Sequence, residues 1–267
     1  MSPAASAGLM DVTTTAPNTA PAGQYADVNG LRLYYEVHGR GRPLVLLHGG
    51  LHTIDLSFRD LIPLLAGTHR LIGVELQGHG RTADVEREPT YPAMADDVVA
   101  LLDHLGLERA DVLGFSLGGL VALELAMRHP GRLDRLVAAA THYGPEGYHD
   151  LSDPASVRMP TPAEFAEMQQ EYERVAPDPA HFDAFVERLN VLVHGHPGWT
   201  AEELGTIAAP VLLVIGDTDF VRIEHAAEMH ELIPEAQLAV LPGTRHTEVI
   251  HRTDVLVPLM ARFLARD

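Results

Sequence analysis

Residues 109–121 read RADVLGFSLGGLV. The part from Ala110 to Phe115 is a short apolar run of β-forming side chains, the mark of a strand buried on both faces of a parallel sheet. From Leu117 the apolar residues follow a helical spacing through LGGLVALELAMRHP. Between strand and helix stands one serine, Ser116, with Gly114 two residues before it and Gly118 two after. A chain that turns this sharply brings neighbouring backbone close on both sides, and only glycine leaves room there. The serine hydroxyl is then raised over the sheet edge at a helix N-terminus, where backbone N–H groups can hold a developing anion. An ordinary surface hydroxyl or helix cap would need neither glycine.

The same alternation of strand and helix extends in both directions. YADVNGLRLYYEVHG, from Tyr25, reads as a hairpin turning at Asn29-Gly30. Buried-strand runs follow at PLVLL (43–47), RLIGVEL (from Arg70), LDRLVAAA (from Leu133), PVLLVIG (from Pro210) and AQLAVLPG (from Ala236). Helical patterns lie between them at MADDVVALLDHLGL, RIEHAAEMHELIP and, at the end, EVIHRTDVLVPLMARFLA. This predicts an α/β fold, a doubly wound and mostly parallel sheet, with ligands at the carboxyl ends of the strands. Residues 141–205 break the rhythm. They carry TPAEFAEMQQEYERV, PAHFDAFVERLNVLVHG and TAEELGTI but no buried strand, and so read as an inserted helical element rather than a loop. The chain thus divides into a flexible, Ala/Pro/Thr-rich tail (1–24), a core (25–140 and 206–267) and the insertion.

Composition narrows the chemistry. The 267 residues are 46% hydrophobic, enough for one large α/β domain or two small ones. There is no cysteine, which removes disulfides and thiolate chemistry, and no lysine, which removes Schiff bases and the phosphate-loop lysine. A net charge of −18 disfavours nucleic acid, anionic membranes and polyanionic substrates. No apolar run reaches the ~18 residues that span a bilayer. The N-terminus has neither the basic start nor the apolar stretch of a signal peptide, so a cytoplasmic location is expected.

GFSLGG in this context resembles the α/β-hydrolase fold family, in strand–helix order from Tyr25 to the C-terminus. HGG at 48–50 matches the family's oxyanion loop, GHGRT at 78–82 the loop after the next strand, and residues 141–205 its helical cap. Glu75 stands where many members carry Asp. The resemblance implies an oxyanion hole from the Gly50 and Leu117 N–H groups and a catalytic order of Ser, acid, His. After Ser116, PVLLVIGDTDF offers Asp217 and Asp219 as the acid, and alignment to the family's G-x-x-D favours Asp219. The base follows the last strand, in AQLAVLPGTRH, which points to His246; His225, His230 and His251 lie on helical patterns and suit packing or surface roles.

A Ser116–His246–Asp219 triad needs no cofactor and no metal. The H-x-H pair of His194 and His196 has no third ligand at a recognisable spacing. The expected activity is cleavage of a carboxylic ester, lactone or related acyl bond through an acyl-enzyme on Ser116. Perhydrolysis and C–C bond hydrolysis can use the same triad, and a non-catalytic ligand-binding member is a further alternative. The expected substrate is a small, neutral, largely apolar acyl compound. Leu51, His52, His142, Tyr143, Phe165 and Trp199 are pocket candidates, each with a plain packing or loop role as its rival reading.

Overall fold

The computed structural model describes residues 23–150 and 158–266. Of the expected N-terminal tail, residues 1–22 lie outside the described residues; order begins slightly before the expected Tyr25, because the first strand starts at Gln24. Strands β1 (Gln24–Val28) and β2 (Leu31–His38) form the hairpin. Asn29 and Gly30 both take positive φ, +48° and +82°, as a two-residue turn matched to strand twist requires. The remaining strands are β3 (Arg42–Leu47), β4 (His69–Val74), β5 (Ala110–Phe115), β6 (Leu133–Ala139), β7 (Val211–Gly216) and β8 (Ala236–Leu241). They make one sheet in the order β1-β2-β4-β3-β5-β6-β7-β8. β1 and β2 run antiparallel to their neighbours, and the other six strands are mutually parallel. The expected doubly wound sheet is the one observed.

Alternate residues of each central strand feed two separate cores. Val45, Leu47, Val112 and Leu213 face helices α3 (Tyr91–His104), α4 (Leu117–Arg128) and α8 (Ile223–Leu232). Leu44, Leu46, Leu113, Phe115 and Val214 face α1 (Ile54–Phe58), α2 (Ile62–Leu65) and α9 (Thr253–Leu264). Helices α1 and α2, of 5 and 4 residues, are too short to show an apolar period, and reading the sequence does not reveal them. The final helical pattern is interrupted: a 3₁₀ turn (Val249–His251) precedes α9, and Arg252 (ψ +58°) leaves the helical region between them.

Between β6 and β7 stand α5 (Pro162–Val175), α6 (Phe182–Gly195) and the short α7 (Ala201–Leu204). Thr161 and Glu164 close a capping box at the start of α5, and Thr200 and Glu203 do the same for α7. Tyr172, Phe182, Phe185 and Leu189 of this segment join the core that contains α4. That packing sets α5 and α6 over the carboxyl ends of the central strands, where Phe165 and Met168 face Gly50, Ser116 and His246 and Leu189 lies by Gly50.

Candidate active site

Ser116 has φ +51° and ψ −114°, a backbone state few non-glycine residues hold. The neighbouring fold enforces it. A Cβ on Gly114 would lie 2.4 Å from the Gly118 carbonyl oxygen, and one on Gly118 would lie 2.1 Å from that of Leu47. Ser116 N–H donates to the Ala139 carbonyl at 2.8 Å, and Gly118 N–H to His48 at 3.0 Å. The elbow is thereby clamped between β3 and β6.

Asp219 and His246 reach Ser116 on the loops that follow β7 and β8. A Cβ on Gly216 would sit 2.0 Å from the Thr244 carbonyl oxygen, so the two loops touch at backbone distance. His246 Nδ1 is 2.8 Å from Asp219 Oδ1, and His246 Nε2 is 2.9 Å from Ser116 Oγ. A carboxylate only accepts, so Nδ1 carries the imidazole proton and Nε2 presents its lone pair to the serine. Asp219 is fully buried, and its Oδ1 also accepts from Val221 N–H at 2.9 Å. The imidazole lies on the Phe220 ring, centroids 3.8 Å apart. Asp217 points elsewhere: its half-buried carboxylate accepts from Thr244 N–H at 3.2 Å, and the Gly243 and Thr244 amides hold its pKa below the usual range. Asp217 braces the loop that carries His246 rather than the ring itself.

The HGG segment is built around buried groups. His48 Nδ1 lies 2.8 Å from the Gly49 carbonyl, and its Nε2 accepts from Leu76 N–H at 3.1 Å, tying β3's exit to β4's. Burial lowers the His48 pKa to about 4, so the ring is neutral. Leu51 carries φ +62° just after Gly50. Leu117 N–H, at the first position of α4, is one of the donors a helix leaves without an internal partner. Glu75, at the departure from the family's usual Asp, is fully buried; it accepts from Arg81 N–H at 2.5 Å and Arg81 Nη1 at 2.6 Å. Burial pushes its pKa up to about 7 against the pull of Arg81. The carboxylate thus shapes the GHGRT loop and lies away from the Ser116 hydroxyl.

Two chambers meet at Ser116 and His246. The larger, about 470 Å³, is mostly apolar; Leu51, His52 and Phe165 line it, with Phe115, Met159 and Met168. The smaller, about 90 Å³, includes Gly50, Leu117, His142 and Tyr148 in its wall. Both share Gly50, Ser116, Phe220 and His246. Two pocket candidates stand elsewhere. Tyr143 stacks on His225 at 4.1 Å and reaches Glu228 with its hydroxyl. Trp199 donates from Nε1 to the buried Glu124 at 2.8 Å and packs on Tyr91 and His196. Trp199 satisfies its polar tip within the packing and Tyr143 at the surface, and neither lines either chamber. His52 is buried with Nδ1 3.0 Å from Ser57 Oγ, and burial takes its pKa down to about 3. Among the described residues no three His, Asp or Glu side chains gather as a metal site.

Sequence reading missed Met159 and Phe220, since loop residues show no period, and read Tyr148 as packing, whereas it lines the small chamber. It also missed Glu164. This residue of α5 accepts from Thr247 Oγ1 at 2.6 Å and from Arg245 Nη2 at 3.1 Å, gripping both neighbours of His246. Burial acts upward on its carboxyl but is outweighed by hydrogen bonds from Thr247, Thr161 and Arg245, which hold the pKa at about 2.

A family model described as alpha/beta hydrolase fold matches residues 42–196. The chain is 31% identical over 255 residues to a putative carbamate hydrolase RutD of Agrobacterium fabrum, covering 87% of this chain and 98% of that one. Its fold is similar to that of a meta-cleavage product hydrolase from Pseudomonas fluorescens (TM-score 0.76, 21% identity, 92% of this chain and 98% of that chain). It is also similar to that of an enol-lactonase from Burkholderia xenovorans (TM-score 0.74, 24% identity, 91% and 100%). Among the described residues no helix is long and apolar enough to cross a membrane.

Proposed function

The chain belongs to the alpha/beta hydrolase fold family, and from that premise we propose that it is a serine hydrolase cleaving a small, neutral, largely apolar ester, lactone or related acyl compound. The observation that carries this reading is the unbroken line from Asp219 through His246 to Ser116, with contacts of 2.8 and 2.9 Å. The relatives' names are those of a putative carbamate hydrolase, a meta-cleavage product hydrolase and an enol-lactonase. One nucleophile and one oxyanion site can serve attack on the carbonyl carbon of more than one substrate class.

His246 Nε2 takes the proton of Ser116 Oγ as the oxygen bonds to the substrate carbonyl carbon. The carbonyl oxygen becomes an anion received by the Gly50 and Leu117 N–H groups. Asp219 stabilises the imidazolium that forms. The tetrahedral centre collapses, the bond to the leaving group breaks, and the leaving oxygen takes the proton from Nε2. Water then gives a proton to Nε2 and attacks the acyl carbon. Ser116 Oγ departs with that proton, so ester plus water becomes acid plus alcohol. Residues 141–205 act as the cap, with α5 roofing the larger chamber.

The test combines Ser116→Ala with a fluorophosphonate probe and a p-nitrophenyl ester series assayed with and without added peroxide or alcohol. Labelling at Ser116 alone, loss of turnover in the alanine variant and no partition to peroxide or alcohol are expected. Turnover by Ser116→Ala at the parental rate refutes the reading. Dominant peroxide or alcohol capture changes the assignment to perhydrolase or acyltransferase.

A further inference from the structure

The two chambers at Ser116 differ in size and access; both walls are mostly apolar, but the small one carries the Tyr148–His142 pair, and these features assign the two halves of the substrate. We infer that the small chamber is the acyl site, built for a short acyl group that carries a hydrogen-bond donor, such as an α-hydroxyacyl or carbamoyl group, while the larger chamber takes an apolar leaving group. The inference rests on the proposed serine hydrolase chemistry.

Size comes first. About 90 Å³ holds roughly three groups of water's size, which contribute about 30 Å³ each in the liquid. Leu117, Leu120 and Ala140 in its wall are all nearly inaccessible to solvent. The larger chamber has Met159 and Phe165 in its wall, which are 40% and 41% exposed, so that side opens outward. The leaving group must depart while the acyl group is still bonded to Ser116, and the water that replaces it must arrive by the same side. The larger chamber, whose wall is the more exposed, offers the wider path for both. The acyl half therefore lies in the small one.

Polarity then selects the acyl group. Tyr148 OH lies 2.5 Å from His142 Nε2 in the wall of the small chamber. The Tyr148 backbone is fixed beside the acid loop: it bridges Val221, and its neighbour His149 donates to the Phe220 carbonyl at 2.9 Å. Burial, then the nearby His225, lowers the His142 pKa to about 3, so the ring is neutral with one nitrogen free to accept. Burial, then Asp219, pushes the Tyr148 phenol up to about 12 and keeps it protonated. A phenol O–H is a better donor than a neutral imidazole N–H, and imidazole nitrogen is a better acceptor than phenol oxygen. Tyr148 therefore donates to His142, and its oxygen keeps lone pairs for a ligand O–H or N–H. A purely hydrocarbon acyl group would leave the lone pairs of that oxygen desolvated and without a donor.

The experiment measures kcat/KM for p-nitrophenyl acetate, glycolate, butyrate and octanoate with the parent, Tyr148→Phe and Val193→Phe. Val193 lines the small chamber from α6 and is only partly buried, so the larger ring narrows the chamber without entering the core. The expected result is a fall of at least tenfold from acetate to octanoate in the parent. Tyr148→Phe should lower the glycolate-to-acetate ratio about tenfold, the worth of one hydrogen bond. Comparison of ratios between enzymes cancels the esters' intrinsic reactivities. Val193→Phe should cut butyrate at least tenfold relative to acetate, and unchanged butyrate cleavage overturns the placing of the acyl group in the small chamber even if Tyr148→Phe does not fold. Octanoate cleaved faster than acetate, or an unmoved ratio in a folded Tyr148→Phe, overturns the assignment while Ser116-dependent hydrolysis stands. A Ser116→Ala variant that still turns these esters over overturns both readings.

Discussion

Asp219→Asn tests how the acid acts, and its size follows from the contacts. The Asp219 carboxylate has one oxygen engaged twice, by His246 Nδ1 at 2.8 Å and by Val221 N–H at 2.9 Å. Its other oxygen is buried with no hydrogen-bond partner among the described residues. An amide can keep its oxygen toward both donors and place its NH2 at the unpartnered position. The imidazole then keeps its tautomer and loses only the facing charge. Two unit charges at this separation attract by about 6 kcal/mol at an effective dielectric of about 20. The amide oxygen retains part of this, leaving a loss of about 3–4 kcal/mol, or roughly 10²- to 10³-fold in rate. If the amide turns instead, it donates to Nδ1, sets the wrong tautomer, and the loss approaches the ~10⁴-fold seen in a serine protease.

Asp217→Asn keeps an acceptor for Thr244 N–H and should stay within about tenfold of the parent. The assay is kcat on p-nitrophenyl acetate for the two variants, with melting temperatures measured alongside. Asp219→Asn should melt within a few degrees of the parent, since shape is kept and the partnerless oxygen becomes a partnerless NH2. An Asp219→Asn variant within tenfold of parental turnover would refute the role of the charge. A larger loss in Asp217→Asn would move the acid.

Gly118→Ala would place a methyl group 2.1 Å from the Leu47 carbonyl oxygen and 2.7 Å from that of His48; it should cost more than about 3 kcal/mol in urea titration, and a parental midpoint contradicts the elbow's tight packing. Glu164→Gln should lower kcat several-fold, and pairing it with Arg245→Met should add little, because both cut one contact across the His246 loop; fully additive losses would separate them. With its pKa depressed from 4.5 to about 2, Glu164 contributes this contact fully above pH 4.5 and loses it only as pH falls toward 2, so no step from its titration is expected between pH 5 and 8. The buried histidines act in a higher window. His48, His52 and His142 have pKa values depressed from 6.5 to about 4, 3 and 3, so below pH 6.5 the unfolded chain binds more protons and stability falls until the folded values are reached. One such ring removes about 2 kcal/mol between pH 6.5 and 5, and a urea midpoint as high at pH 5 as at pH 7 would contradict this.

The features legible in the sequence are those whose cause is local. An apolar run of strand length, a helical period and glycines at −2 and +2 around Ser116 need no knowledge of distant residues, and the observed sheet and elbow follow them. Family motifs bring HGG, Asp219 and His246 into view, but only as members of an order along the chain. The rest depends on contacts the sequence does not encode locally. His246 meets Ser116 across 130 positions, and Asp219 rather than Asp217 faces the ring because Gly216 lets the Thr244 backbone approach to contact. Trp199 and Tyr143 illustrate the limit from the other side. Aromatic side chains in a cap suggest a pocket, yet partners on other elements, Glu124 for one and His225 and Glu228 for the other, draw them into the packing. The division of the site into a large chamber and a small one likewise belongs to the tertiary structure. It arises where Phe220, Gly50 and the serine–histidine pair form a shared waist, and no periodicity along the chain records such a meeting of loops.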